Sequence, residues 1–483
     1  MEVVLSAAAG DLVSRFFSFL MSKYVCSSDE KHEERLQQLL LRAHMIVEEA
    51  DQRYITNSGM LLQLKMLSRA MYRGYHALDT FKCNQLIKDA SKDVENTDSF
   101  ASYLGTPLKR FRANCGTSNH KVDNNCDLQG VLVKLETVVS NMQEFVILLS
   151  GCESMMCRRP YDTYLYVDNF MFGRQTEKQQ VINFLLQHNH LGSPSVLPII
   201  GGNLVGKKTL VAHVWNDEKV RSYFSSVLHL NGGNFCRIDN ERCTSERTLV
   251  VVTFVSDVDD VEWKSFYQAV TCISTKIKII IVSRMESLAR YGTVKPIHLN
   301  RLQDEEYNYL FKTLAFGSAQ AEDHPKLALL AGELMKFLGW SFVGAYCVAN
   351  ALRTDLSLRF WHGRLNKHKN LTKKNLSVFG EHLSDLYRIS YPIDLTDFLP
   401  SPAAPLYLMP PRTEAELFKR KLPKIRIRDI MVNPSLCPKG DFDLVTWESR
   451  IPPYTEIFYH AQSCAQQLPK TTLRRKRDAT ICL

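Results

Sequence analysis

The residues most able to do chemistry are consecutive: Gly201-Gly202-Asn203-Leu204-Val205-Gly206-Lys207-Lys208-Thr209. They follow Val196-Leu197-Pro198-Ile199-Ile200, an apolar run that predicts a buried strand. They precede Leu210, Val211, Val214 and Trp215, spaced as one face of a helix. Strand, glycine-rich turn and helix, in that order, can cradle phosphate. Glycines permit positive φ, so successive backbone N–H groups can point at phosphate oxygens. The helix start adds a partial positive charge, and Lys207 can reach the outer phosphates. Gly201, Gly206 and Lys207 satisfy the first seven positions of G-x-x-x-x-G-K-[ST], and the candidate contacts run through Gly202, Val205, Lys208, Thr209 and Leu210. The eighth position breaks the pattern. A Ser or Thr hydroxyl should ligate Mg²⁺ there, and this chain has Lys208. A second ammonium repels the cation while still favouring phosphate. Thr209 lies about 100° further round the helix and is a poor substitute. A glycine-rich turn that holds no ligand stays open as the alternative.

The elements that must position this loop read as an α/β domain. Leu249-Val250-Val251-Val252 and Lys278-Ile279-Ile280-Ile281-Val282 are two further buried-strand candidates. Uninterrupted Val/Ile/Leu runs separated by helix-length segments indicate a parallel sheet covered on both faces. A Tyr-rich linker, Tyr161 to Phe172, leads into Gly173-Arg174 and a predicted helix from Glu177 to Gln187.

Residues 1–150 read as helices. Leu5 to Tyr24, Leu36 to Ala50, Met60 to Leu78 and Leu132 to Leu149 each carry apolar residues at three- and four-residue steps, which suggests an antiparallel four-helix bundle. The expected fold class is therefore multidomain. A helical bundle spans 1–150, a P-loop α/β nucleotide-binding domain 160–300, a helical subdomain 301–355 and an irregular C-terminal region 356–483. Pro392, Pro400, Pro402, Pro405, Pro410 and Pro411 exclude long helices around 390–411. Lys439 to Phe442 and Trp447 to Pro453 look like ordered loop elements. No leucine repeat is evident.

Composition narrows the classes. Of 483 residues, 45% are hydrophobic and 23% charged, an ordinary soluble balance. The net charge of +9 is too dilute for a dedicated nucleic-acid surface. Thirteen cysteines without a C-x-x-C pair favour buried thiols in a reduced compartment over a disulfide or zinc framework. The apolar N-terminus is interrupted by Asp11 and Arg15, and no run reaches the length of a membrane span. His188 and His190 form an isolated H-x-H, read as a solvated loop. Basic runs at Lys419 to Lys421, with Lys424, Arg426 and Arg428, and at Arg474 to Arg477 read as solvated tails, with a nuclear address as the alternative to a purely cytoplasmic one.

The order of these features resembles the NB-ARC module of plant NLR disease-resistance proteins, in a divergent grass-type branch. Gly201 to Leu210 resembles that family's loop ending Gly-Lys-Thr-Thr-Leu. Phe172-Gly173-Arg174 resembles the motif at which the chain contacts the adenine side. Ile279 to Arg284 resembles the strand ending Thr-Thr-Arg, whose arginine senses the terminal phosphate. Leu302 to Gly317 resembles the motif opening the helical ARC-like subdomain, and Leu338 to Phe342 stands where the family writes Gly-Leu-Pro-Leu-Ala. The N-terminal helices resemble the family's coiled-coil, Rx-type domain. Together the resemblance covers about residues 1–355.

The resemblance implies an ADP or ATP cofactor and a role in plant defence. It also implies protein partners reached through the bundle: other NLRs, signalling proteins or pathogen effectors, and an oligomer. The departures change the expected mechanism. Aligning Leu249 to Val252 with the family's acidic strand puts Thr253 and Phe254 where aspartates hold Mg²⁺ and position water. Asp257, Asp259 and Asp260 follow too late and read as a solvated acidic turn. Phosphoryl transfer depends on the metal for positioning and charge neutralisation. Hydrolysis is therefore expected to be weak or absent, with binding retained through Lys207 and the loop's N–H groups. Of the family's acidic patch in the third helix, only Asp79 remains between Arg73 and Asp79. No Met-His-Asp tripeptide and no leucine-rich repeats occur. The expectation is a hydrolysis-impaired regulator, helper or decoy. The rival expectation is a nucleotide-free scaffold with a vestigial loop, and a third is an NTPase that recruits Mg²⁺ through Asp257 or Asp259.

Overall fold

The computed structural model describes residues 29–92, 127–155, 163–169, 171–188, 193–233, 235, 247–274, 276–379, 393–396, 405–409, 421–451 and 454–463. The expected first helix, Leu5 to Tyr24, lies outside the described residues, as do His190 and the Arg474 to Arg477 run.

Three of the four apolar stripes form helices in the expected places. They give α1 (Asp29–Asp51), α2 (Ser58–Lys92), and α3 (Asp127–Ser140) followed by α4 (Gln143–Ser150). The last stripe was expected as one helix and is two. The β-branched run Thr137-Val138-Val139 passes into Ser140-Asn141, poor helix formers that release the backbone. The amide of Met142 then donates to Val139 O, a tight turn, before α4 resumes. The stripes themselves are the core: Leu36, Leu39, Leu40 and Ala43 pack with Leu64, Leu67, Met71, Leu135 and Phe145. A short helix, α5 (Thr163–Asn169), occupies the Tyr-rich linker.

The α/β domain follows: α6 (Gln175–Leu186), β1 (Ser195–Gly201), α7 (Lys207–Trp215), α8 (Glu218–Tyr223), β2 (Ser226–Asn231), β3 (Thr248–Thr253), α9 (Asp260–Ile273), β4 (Lys278–Ser283), a 3₁₀ turn (Glu286–Tyr291) and β5 (Ile297–Leu299). The strands are parallel throughout, in the order β2-β3-β4-β1-β5. The three strands expected from their apolar runs are the central ones. β2 and β5 escape such a reading because β2 carries His229 and Asn231 in an edge position and β5 is only three residues long. Alternate residues serve opposite faces. Leu249, Val251, Ile280 and Val282 pack beneath α6 and α7, while Val250, Val252, Ile279 and Ile281 meet Trp263 and Phe266 of α9.

The helical subdomain is α10 (Asp304–Phe316), α11 (Pro325–Met335), α12 (Phe342–Leu352) and α13 (Leu358–Phe379). It therefore runs past residue 355. Trp361 is fully buried against Phe316, and its indole N–H donates to Leu352 O and Asp355 O. Bundle and subdomain share one core: Tyr307, Leu310 and Phe311 of α10 belong to the same buried cluster as Leu64, Leu67 and Met71 of α2.

The described residues beyond the subdomain form a sheet and not the irregular region that the prolines suggest. β6 (Ile393–Asp394), β7 (Leu406–Leu408), β8 (Lys424–Arg426), α14 (Ile427–Val432), β9 (Gly440–Glu448) and β10 (Glu456–Ser463) build a second, mixed sheet in the order β6-β7-β10-β9-β8. Prolines remove a donor and are tolerated at the edges of strands, as with Pro405 just before β7. Phe442, Leu444 and Ala461 of this sheet pack with Ile430, Met431 and with Cys347 and Ala351 of α12. Part of the segment expected as loop, Lys439 to Phe442, is thus strand. Among the described basic residues, Lys424 pairs with Glu456, Arg426 with Glu448 at 2.9 Å and Arg428 with Asp429 at 3.3 Å. Among the described residues, no helix is long and apolar enough to cross a membrane.

Candidate functional site

The carboxyl ends of β1, β3 and β4 open on one edge of the sheet, where open parallel sheets place ligands. Gly201 closes β1 because nothing larger fits: a Cβ there would lie 2.2 Å from Leu299 O of β5. Gly206 enters α7 at φ 92°, a conformation natural to glycine. Gly202 is different. It is exposed, and a Cβ on it would meet nothing closer than Val205 Cγ1 at 3.8 Å. The fold alone therefore demands two of the three glycines and leaves the third as an open approach to the backbone. Val205 and Leu210 are buried and anchor the loop to the core. Leu204, at the tip, is exposed and held at φ 53°.

Lys207 begins α7 and folds back so that its ammonium donates to Gly201 O and Gly202 O. Burial, then the Arg284 guanidinium, then the Lys208 ammonium push its pKa from 10.5 down to about 8. Arg284 is brought there by strand register: Ile200 pairs with Ser283, so the next residue of β4 stands beside the start of the loop. Lys207 and Arg284 therefore share one edge of adjacent parallel strands. Lys208 is exposed in the first turn of α7, and its charge also lowers the pKa of His229 on β2, after burial. Thr209 is half-buried.

The tip of β3 carries no acid. Thr253 ends the strand, and the Phe254 ring is buried 5.1 Å from Phe235 and 6.4 Å from Trp263. Two of the three aspartates that follow, Asp257 and Asp260, have other work. Arg290 reaches Asp257 at 3.2 Å and Asp260 at 3.1 Å, and the Tyr291 hydroxyl donates to Asp260 at 2.7 Å. The Val258 amide, the Ser287 hydroxyl and Arg290 hold the Asp257 carboxyl below its ordinary range. Tyr291 and Arg290 do the same for Asp260. Among the described residues, no group of three His, Cys, Asp or Glu side chains can hold a metal ion.

Phe172 and Arg174 have their side chains committed elsewhere. The Phe172 ring stacks on Tyr309 of α10 at 6.2 Å and lies 5.6 Å from Tyr72 of α2. The buried Arg174 guanidinium donates to Val205 O and Asn300 O, tying the phosphate loop to the segment that leads into α10. Burial lowers its pKa, and the Glu177 and Glu306 carboxylates oppose that. Met171 of the same segment also approaches the loop: its Cε lies 3.6 Å from where a Cβ on Gly206 would stand. An apolar residue in a linker gives no sequence signal of such a role.

This segment also marks where the bundle meets the rest. Lys312 of α10 grips Asp79 of α2 at 2.7 and 2.8 Å, Arg73 faces Glu305 at 3.5 Å, and Lys65 reaches Glu177 of α6 at 2.8 Å. The side chains of Gln179 and Asn183 donate to Arg53 O and Ile55 O, each at 2.9 Å. The one acid retained in the third predicted helix is thus an interdomain contact.

No protein-family model matches the chain. The disease resistance protein RGA2 of Solanum bulbocastanum is 24% identical over 422 residues, covering 80% of this chain and 41% of that protein. Two further disease resistance proteins of the same plant are 23% and 22% identical over 395 and 419 residues. The chain spans 41%, 38% and 40% of the lengths of these three relatives. Among solved structures, Drosophila ORC bound to DNA aligns with a TM-score of 0.27 at 11% identity, over 47% of this chain and 79% of its own. Domain III of the Thermotoga maritima replication initiation protein DnaA aligns with a TM-score of 0.22 at 16% identity, over 46% and 93%. Scores this low carry no argument about fold or function.

Proposed function

We propose, on the premise that the chain is a family-level relative of plant NLR disease resistance proteins, that it is an ADP- or ATP-binding regulator of plant defence with impaired hydrolysis. Lys207 and the loop N–H groups would hold phosphates, with Gly202 as the open approach and Arg284 as the sensor of the terminal phosphate. The observation that carries this reading is the convergence of Lys207 and Arg284 beside a glycine loop, with Thr253 and Phe254 in place of acids. Without a hydroxyl at position 208 or a carboxylate at the tip of β3 to hold Mg²⁺, the step that needs the metal is slow while binding survives. Such a protein acts through partners. The bundle, keyed to α10 by Asp79 and Lys312, is the surface through which a nucleotide-dependent state would reach them, in the cytoplasm or nucleus.

A second reading, a nucleotide-free scaffold, draws on a specific observation. Packing and backbone geometry require Gly201 and Gly206 whether or not phosphate ever binds. The two readings part on nucleotide content. Protein purified gently and denatured with acid should release about one ADP or ATP per chain, and Lys207→Ala should release little. An empty parent that also fails to bind added nucleotide leaves the scaffold.

A further inference from the structure

The mouth of the phosphate loop is built from cations. Lys207 and Lys208 are consecutive in the first turn of α7, and Arg284 stands beside Gly201 through the β1–β4 register. In a site built for Mg²⁺, a hydroxyl at position 208 and carboxylates at the tip of β3 would supply hard oxygen ligands. Here the first is an ammonium, which has no lone pair to ligate with and repels a divalent cation. The second are a threonine and a phenylalanine whose ring is locked among Phe235 and Trp263. Two of the three following aspartates cannot be borrowed cheaply, since Asp257 and Asp260 are turned to Arg290 and Tyr291, and the exposed Asp259 lies six residues past the end of β3.

We propose that Lys208 takes the place of the divalent cation, so that the site holds its nucleotide polyphosphate metal-free, with Lys207, Lys208 and Arg284 as fixed counter-charges. The proposal rests on the nucleotide reading given above. Its logic is charge count. Mg²⁺ cancels two of the negative charges on ATP that three fixed cations would otherwise engage, and it brings a hydrated ion against the Lys208 ammonium. Added Mg²⁺ therefore competes with the protein for the phosphates, the reverse of its usual role.

The test titrates the full chain with a fluorescent N-methylanthraniloyl ATP, once with excess EDTA and once with excess Mg²⁺. Binding should be tighter without the metal, by about tenfold if one charge-assisted contact is at stake. Lys208→Thr, a change at an exposed position, should weaken metal-free binding by a similar factor of about ten and remove the penalty of added Mg²⁺. Should that variant melt early, the parent's response to Mg²⁺ decides alone. Binding that requires Mg²⁺ overturns the proposal and leaves the nucleotide reading standing. An absence of binding in both buffers removes the nucleotide reading, and the proposal falls with it.

Discussion

Nucleotide binding should carry a proton with it. In the empty site the Lys207 ammonium is pushed from 10.5 to about 8, mainly by burial and then by Arg284 and Lys208. A polyphosphate placed against it favours the charged form and returns the pKa upward. At about pH 9 most of the empty protein must first take up a proton before it can bind, whereas at about pH 7 almost none must. Affinity should therefore fall about tenfold between those values, with roughly half a proton taken up per nucleotide near pH 8. Calorimetric titration in two buffers of different ionisation enthalpy measures both quantities. Lys207→Arg keeps its charge throughout and should flatten the profile. The sign for stability follows from the same depression. Between about pH 8 and the ordinary lysine value the unfolded chain binds more protons, so Lys207 makes the empty protein relatively more stable as pH rises through that window. Bound phosphate diminishes that trend. An affinity unchanged from about pH 7 to 9, with no proton uptake, would refute this account of Lys207.

Four other variants probe the positioning elements and the metal position. Leu204→Gly releases a left-handed residue whose side chain is exposed, and should stabilise the fold by about 0.5–1 kcal/mol in urea denaturation; a loss would mean that the Leu204 side chain makes contacts worth more than its strain. Asp79→Ala strips Lys312 of a doubly hydrogen-bonded partner at a partly buried junction, and should cost about 1–2 kcal/mol and expose α2 to limited proteolysis; an unchanged digest would show that the shared apolar core alone docks the bundle. Thr253→Asp combined with Lys208→Thr should raise ATP turnover from its low baseline, whereas Phe254→Asp should cost about 4 kcal/mol or more by placing a carboxylate among aromatic rings. Thermal melts and a phosphate-release assay separate the two effects, and a folded double variant without added turnover would count against the account of weak hydrolysis.

The loop and its strand were legible in the sequence because glycine spacing, an apolar run and a following helix pattern describe the same local geometry three ways. Arg284 was legible through its strand, since register carries an end residue to a fixed place. Side-chain commitments were not. Phe172 and Arg174 precede the domain as a short motif, yet the ring is claimed by Tyr72 and Tyr309 and the guanidinium by the backbone carbonyls of Val205 and Asn300. Met171 gave no signal for its position over Gly206. Three of the five strands of the C-terminal sheet have only two or three residues beside prolines, where periodicity has too few positions to register. The nine- and eight-residue strands β9 and β10 carry polar residues among their apolar ones and gave no uninterrupted run. Long-range packing also joined bundle and helical subdomain in one core, which no stripe on either can announce by itself.

The central claim is that this loop holds a nucleotide and does not turn it over. Equilibrium dialysis with γ-labelled ATP, followed by chromatography of what the protein retains, tests both halves at once. About one intact ATP per chain, lost in Lys207→Ala, is the predicted result. No retained label, or retained ADP with phosphate released turnover after turnover, would contradict it.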